Sequence, residues 1–132
     1  MTAAPLTKRK EADIKSAILL FLRAHGIACW LTGVGAYRAT HNGRERFIRL
    51  GTKGMSDIVG ILPGSRSVRG VTGLAGLSVT TNEVGRALFI EVKTPTGKIR
   101  PEQTAFLQTV VKAGGIGFVA RSVDDVRAKL GL

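Results

Sequence analysis

Seven consecutive residues, Ala87-Leu88-Phe89-Ile90-Glu91-Val92-Lys93, are apolar until the run ends in a carboxylate and an ammonium. An unbroken apolar run of that length, without alternation, predicts a central strand covered on both faces. Glu91 and Lys93 are two apart, so on a strand they leave from one face with Cα atoms roughly 6.5–7 Å apart, while Val92 points to the other. A buried strand seldom ends in charge. Taken alone, the pair also fits an ordinary strand-end ion pair in solvent.

The rest of the chain predicts the layers around this strand. Ile14, Ala17, Ile18, Phe21 and Leu22 recur as one helix face, giving a helix from about Lys8 to Gly26. Strands are expected at Ile27–Leu31, Arg46–Leu50 and Ile58–Leu62, with a glycine-bearing loop (Gly33, Gly35, Gly43) after the first and Gly51–Ser56 before the third. Pro101 suits the first turn of a helix that Gly114-Gly115 stops. A strand at Ile116–Ala120 and a helix at Val123–Leu130, with Ser122 as its N-cap, follow. The order α-β-β-β-β-α-β-α indicates an α/β fold, a mixed central sheet flanked by helices. At 132 residues and 44% hydrophobic composition, residues 1–132 form a single domain with a core. A Gly/Ser/Thr-rich insertion interrupts it at about 65–86, carrying Arg66, Arg69 and Arg86 against Glu83.

Twenty Lys and Arg against nine acids leave a net charge of +11, which calls for a polyanionic partner. One cysteine, Cys29, and two histidines, His25 and His41, exclude an internal disulfide and a four-ligand zinc site. The longest apolar run, Ala17–Leu22, is too short to span a bilayer, and no apolar segment follows the basic N-terminus, so a cytoplasmic location is expected. Asp57 stands where a glycine-bounded loop meets an apolar strand. Oxygen ligands from Asp57 and Glu91, with the Val92 carbonyl as a third, suit Mg²⁺, which keeps much of its water and seldom has an all-protein cage.

An Asp at a strand start, a long gap and Glu-x-Lys at a strand end resemble the PD-(D/E)xK nuclease superfamily. Gly54-Met55-Ser56-Asp57-Ile58-Val59-Gly60, Phe89–Lys98, Pro101-Glu102-Gln103 and Gly114-Gly115 with its following strand are similar to the VRR-NUC branch, especially its small stand-alone phage-type members. Ser56-Asp57 stands where that pattern has Pro-Asp, no literal Val-Arg-Arg run occurs, and the 65–86 stretch is longer than the compact members carry. The resemblance implies a restriction-endonuclease-like core. Asp57 and Glu91 would be metal ligands for Mg²⁺ or Mn²⁺, Lys93 the residue that orients water and stabilises phosphate charge, and Gln103 a helical contributor.

It also implies an N-terminal helical acid, either Glu11 or Asp13. Glu11 lies within roughly 20° of Ile18 and Leu22 on the helical wheel, so it faces inward and is preferred; as a first-turn acid it also fits simple dipole stabilisation. Gln103 likewise fits a plain surface amide. The function so implied is a structure-selective DNA endonuclease acting as a homodimer on branched duplex, a Holliday-junction resolvase-like enzyme, in a bacterial or phage-infected cell at the nucleoid. A flap or nicking nuclease and a non-catalytic DNA-binding module are the alternatives. Between Arg38 and Arg100 there are eleven Lys and Arg and four acids, which suits contact with a nucleic-acid backbone. Only seven aromatics argue against a base-stacking single-strand platform.

Overall fold

The computed structural model describes residues 10–33, 35–64 and 85–132. The expected helix start at Lys8 and all but the last two residues of the 65–86 insertion lie outside the described residues. The elements are α1 (Glu11–Ala24), β1 (Ala28–Leu31), β2 (Gly35–His41), β3 (Arg44–Leu50), β4 (Ile58–Leu62), β5 (Arg86–Val92), α2 (Pro101–Lys112), β6 (Ile116–Ala120) and α3 (Val123–Leu130).

Four strands form the main sheet in the order β1-β4-β5-β6. β4 runs antiparallel to both β1 and β5, whereas β6, reached through α2, lies parallel to β5. This is the mixed α/β sheet of a restriction-endonuclease-like core, and β5 has a neighbour on each side. Its flanks explain its composition. Leu88, Ile90 and Val92 are fully buried in a core shared with Ile14, Ile18 and Leu22 of α1, Phe118 and Ala120 of β6, and Val126 of α3. On the opposite face Phe89 meets Phe106 of α2 edge to face, ring centroids 5.3 Å apart. Each such aliphatic side chain contributes about 1.5–3 kcal/mol on burial, so the sheet around β5 is the rigid part of the molecule.

The helix ends follow local chemistry. The Ser122 hydroxyl accepts the Asp125 N–H at 3.2 Å as the N-cap of α3, and the Arg121 N–H donates to the Asp125 carboxylate at 2.8 Å, fastening the chain that enters the helix. Pro101 opens α2, and the Gln103 side-chain carbonyl accepts the Arg100 N–H at 2.9 Å.

The structure departs from the sequence expectation between residues 33 and 50. In place of a loop and one short strand, β2 and β3 pair along their whole length as a separate two-stranded sheet, adding a strand to the expected order. The signal is Asn42-Gly43. Both residues have positive φ, 51° and 72°, between the paired His41 and Arg44, the two-residue turn whose twist matches that of the strands it joins. The ends of this excursion are tied together: the Thr32 hydroxyl donates to the Ser56 carbonyl at 2.6 Å, and the Thr32 N–H to the Asp57 carbonyl at 2.9 Å.

Candidate active site

The β4–β5 pairing builds the site. Ile58 faces Ile90, so the next step along both chains places Asp57 beside Glu91 where the ladder ends. Here a side chain replaces the missing backbone partner, and the Val92 N–H donates to Asp57 Oδ2 at 2.8 Å. The Val92 carbonyl leaves the backbone on the same edge as this N–H, toward Asp57. Gly54 allows the preceding loop to close. Its φ is +83°, and a Cβ there would collide with the Glu102 carbonyl, so only glycine lets the Asp57 loop rest against the first turn of α2.

Glu91 is 2% exposed and Lys93 9%. Glu91 Oε1 accepts from the Gln103 amide at 2.5 Å and from Lys93 Nζ at 3.3 Å. Gln103 therefore works at both ends, its oxygen capping α2 and its nitrogen fixing the carboxylate. Glu91 Oε2 is buried and has no hydrogen-bond partner among the described residues. Burial, then the charge of Asp57, push the Glu91 carboxyl up to about 7 against the opposing pull of Lys93.

A buried carboxylate oxygen with no donor, beside a second carboxylate, fits a hard divalent cation, which supplies a positive partner to two groups that repel each other. No group of three or more His, Cys, Asp or Glu converges among the described residues. Asp57, Glu91 and the Val92 carbonyl would thus share the cation with water and a ligand phosphate. That donor set is all oxygen, as such a cation requires.

Glu11 reaches the cluster through an intermediary. Lys15 Nζ lies 3.1 Å from Glu11 and 2.9 Å from Asp57 Oδ1, linking α1 to the head of β4. Burial pulls the Lys15 ammonium down, but hydrogen bonds and charges from Asp57 and Glu11 outweigh it and hold it above the usual lysine range. Asp13 is turned elsewhere, accepting the Lys10 N–H at 3.3 Å as a helix cap. Hydrogen bonds and ion pairs thus link Asp57 to Val92 and Glu91 to Lys93 and Gln103, while Glu11 is joined to Asp57 through Lys15. The structure leaves His25 on the Phe21 carbonyl at the end of α1 and His41 at the hairpin turn.

Two participants lie beyond the sequence expectation. Lys15 has a signal, since it stands one turn beyond Glu11 on the same face. Arg121 has none: its guanidinium donates to the Thr94 and Gly97 carbonyls at 2.5 and 2.8 Å, holding the turn that follows Lys93.

No curated protein and no solved structure matches the chain. A family profile described as the VRR-NUC domain matches residues 10–124, nearly its whole length and every part of the site. With the fold and this match in agreement, the chain belongs to the VRR-NUC family of PD-(D/E)xK nucleases.

Proposed function

We propose that this nuclease is a Mg²⁺- or Mn²⁺-dependent endonuclease selective for branched duplex DNA, with four-way junctions as its substrate and a homodimer as its working form. The observation that carries the metal-dependent chemistry is the Glu91 carboxylate, with one oxygen doubly held and the other buried and unpartnered beside Asp57. The choice of junction and of dimer rests on the similarity to small stand-alone phage-type VRR-NUC proteins. A two-fold pair would offer two sites to two opposed strands. Trp30 and Ile61, on the outer face of β1 and β4 and each about half exposed, give such a pair apolar surface to cover.

Asp57, Glu91 and the Val92 carbonyl would hold the cation. When bound, it lowers the pKa of a coordinated water and neutralises charge on the scissile phosphate. The chain's own residues supply the rest. Gln103 and the Asp57–Val92 hydrogen bond fix the two carboxylates, so little reorganisation is needed when phosphate arrives. Lys93, anchored on Glu91 and held by the turn that Arg121 clamps, places a fixed cation to orient the attacking water and to offset charge on the pentacovalent transition state. The reaction is phosphodiester hydrolysis.

The test is cleavage of a labelled four-way junction, flap, splayed arm, linear duplex and single strand with Mg²⁺, Mn²⁺ or chelator. Paired symmetric cuts in the junction are expected, falling about a thousandfold or more in Asp57→Ala and Glu91→Gln while DNA binding persists. Cutting confined to flaps would retain the active site and remove the junction and the dimer. Binding without cutting under any metal would make the chain a binding module.

A further inference from the structure

Residues 35–50 contain four arginines and one acid, and β2 and β3, which they form, belong to no larger sheet. Among its described side chains Ala39 and Ile48 are half-buried and the rest exposed, and a two-stranded ribbon outside a larger sheet is costly to order unless a partner completes it. The exposed side chains indicate the partner. Register places His41 opposite Arg44 and Ala39 opposite Arg46 on one face, and Thr40 opposite Glu45 and Arg38 opposite Phe47 on the other. His41, Arg44 and Arg46 are exposed, as are Arg38 (77%), Glu45 (70%) and Phe47 (66%). Cations thus stand on both faces, Arg44 and Arg46 on one near the tip and Arg38 on the other, where Glu45 lies 3.9 Å from it. A flat polyanionic surface would call for cations on one face, whereas cations on both suit a cleft with phosphates on both walls. The major groove of duplex DNA, about 12 Å wide, admits a two-stranded ribbon and has such walls.

The position of the ribbon ties it to the reaction. Thr32, just before it, bonds to the carbonyls of Ser56 and Asp57, just after it, so both of its roots are fastened at the residue that heads β4. A duplex held by the ribbon is held within the ribbon's own length, roughly 23 Å for seven residues, of the loop that carries Asp57. We propose that the β2–β3 hairpin is a DNA-engaging arm that enters the major groove beside the scissile phosphate, with Arg44 and Arg46 on one phosphate strand and Arg38 on the other. This rests on the nuclease reading and adds the surface that grips the substrate. Self-association through the arm is disfavoured by charge, because it would set arginines against arginines.

The test is binding of a labelled 30-base-pair duplex and a four-way junction, in Ca²⁺ or chelator to prevent cutting, across a salt series. Arg44→Ala/Arg46→Ala should weaken binding about 10- to 100-fold and flatten the slope of log affinity against log salt by roughly 1.8, or 0.9 for each phosphate no longer neutralised. Lys112→Ala/Lys129→Ala removes the same charge from exposed ends of α2 and α3 and should leave affinity and slope near those of the parent protein. Equal losses in both pairs would reduce the effect to net charge and overturn the proposal. So would unchanged binding in a folded Arg44→Ala/Arg46→Ala protein, or sedimentation showing that this variant alone falls from dimer to monomer. If the parent protein binds through the arm yet cuts nothing with any metal, the nuclease reading fails while the arm stands.

Discussion

The four-stranded sheet and the β2–β3 hairpin follow from different physics, although they share the loop that carries Asp57. The sheet is specified by burial: β5 is apolar because helices cover both its faces, and its charged end lies where the covering stops. The hairpin is specified by a turn, Asn42-Gly43, and by pairing alone, with charged side chains on both faces. Chemistry that needs atoms held to a fraction of an ångström stands on the first region. Recognition of a long flexible polyanion is served by the second.

Stability measurements give the widest contrast. Ile90→Ala in the fully buried strand should cost about 2–5 kcal/mol of unfolding free energy, and Phe47→Ala on the hairpin no more than about 0.5 kcal/mol, read by denaturant titration. A large loss from Phe47→Ala would show that the hairpin packs against the body and end the distinction.

A smaller effect sharpens the contrast from the side of the site. Gln103→Leu removes both the α2 cap and the donor to Glu91 Oε1, and should lower metal affinity or turnover about 10- to 100-fold. Affinity for duplex in chelator should be unchanged. A matching loss of DNA affinity would mean that the cluster and the arm act as one surface.

The smallest effect is in pH. With Glu91 pushed up to about 7, the metal-free protein holds a proton there that the unfolded chain releases near 4.5. That protonation favours the folded state at low pH, and its contribution is lost as pH rises from about 4.5 through about 7. Metal binding requires the ionised form, so calorimetry in buffers of different ionisation enthalpy should detect proton release below about pH 7 and little above pH 8. Proton release that does not vary with pH would assign the perturbed carboxyl elsewhere.

The same contrast decides what the sequence makes legible. Unbroken apolar runs and 3.6-residue periodicity reveal β4, β5, α1 and the order of layers, because burial writes itself into hydrophobicity. Glu91, Lys93 and Asp57 stand out as charges where burial predicts none. Helix phase sets Glu11 on the Ile18–Leu22 face, and Asp13 is found as a helix cap. β2 is hidden because, of its described side chains, only Ala39 is even half-buried, and its one signal is the Asn-Gly pair. Arg121 is invisible for another reason: its partners are backbone carbonyls 24 and 27 residues away, and no local pattern encodes them.

Lys15 sets the terms on which this protein meets its metal. Its ammonium lies between Glu11 and Asp57, so together with Lys93, which pairs with Glu91, the chain supplies two internal counterions to these carboxylates. Zinc fingers, by contrast, stay unfolded until the metal arrives. Here the carboxylates are balanced within the fold, so on the proposed reading a divalent cation would exchange for an ammonium. A protein balanced in this way should keep its fold when stripped of divalent cations, losing only the reaction proposed for it.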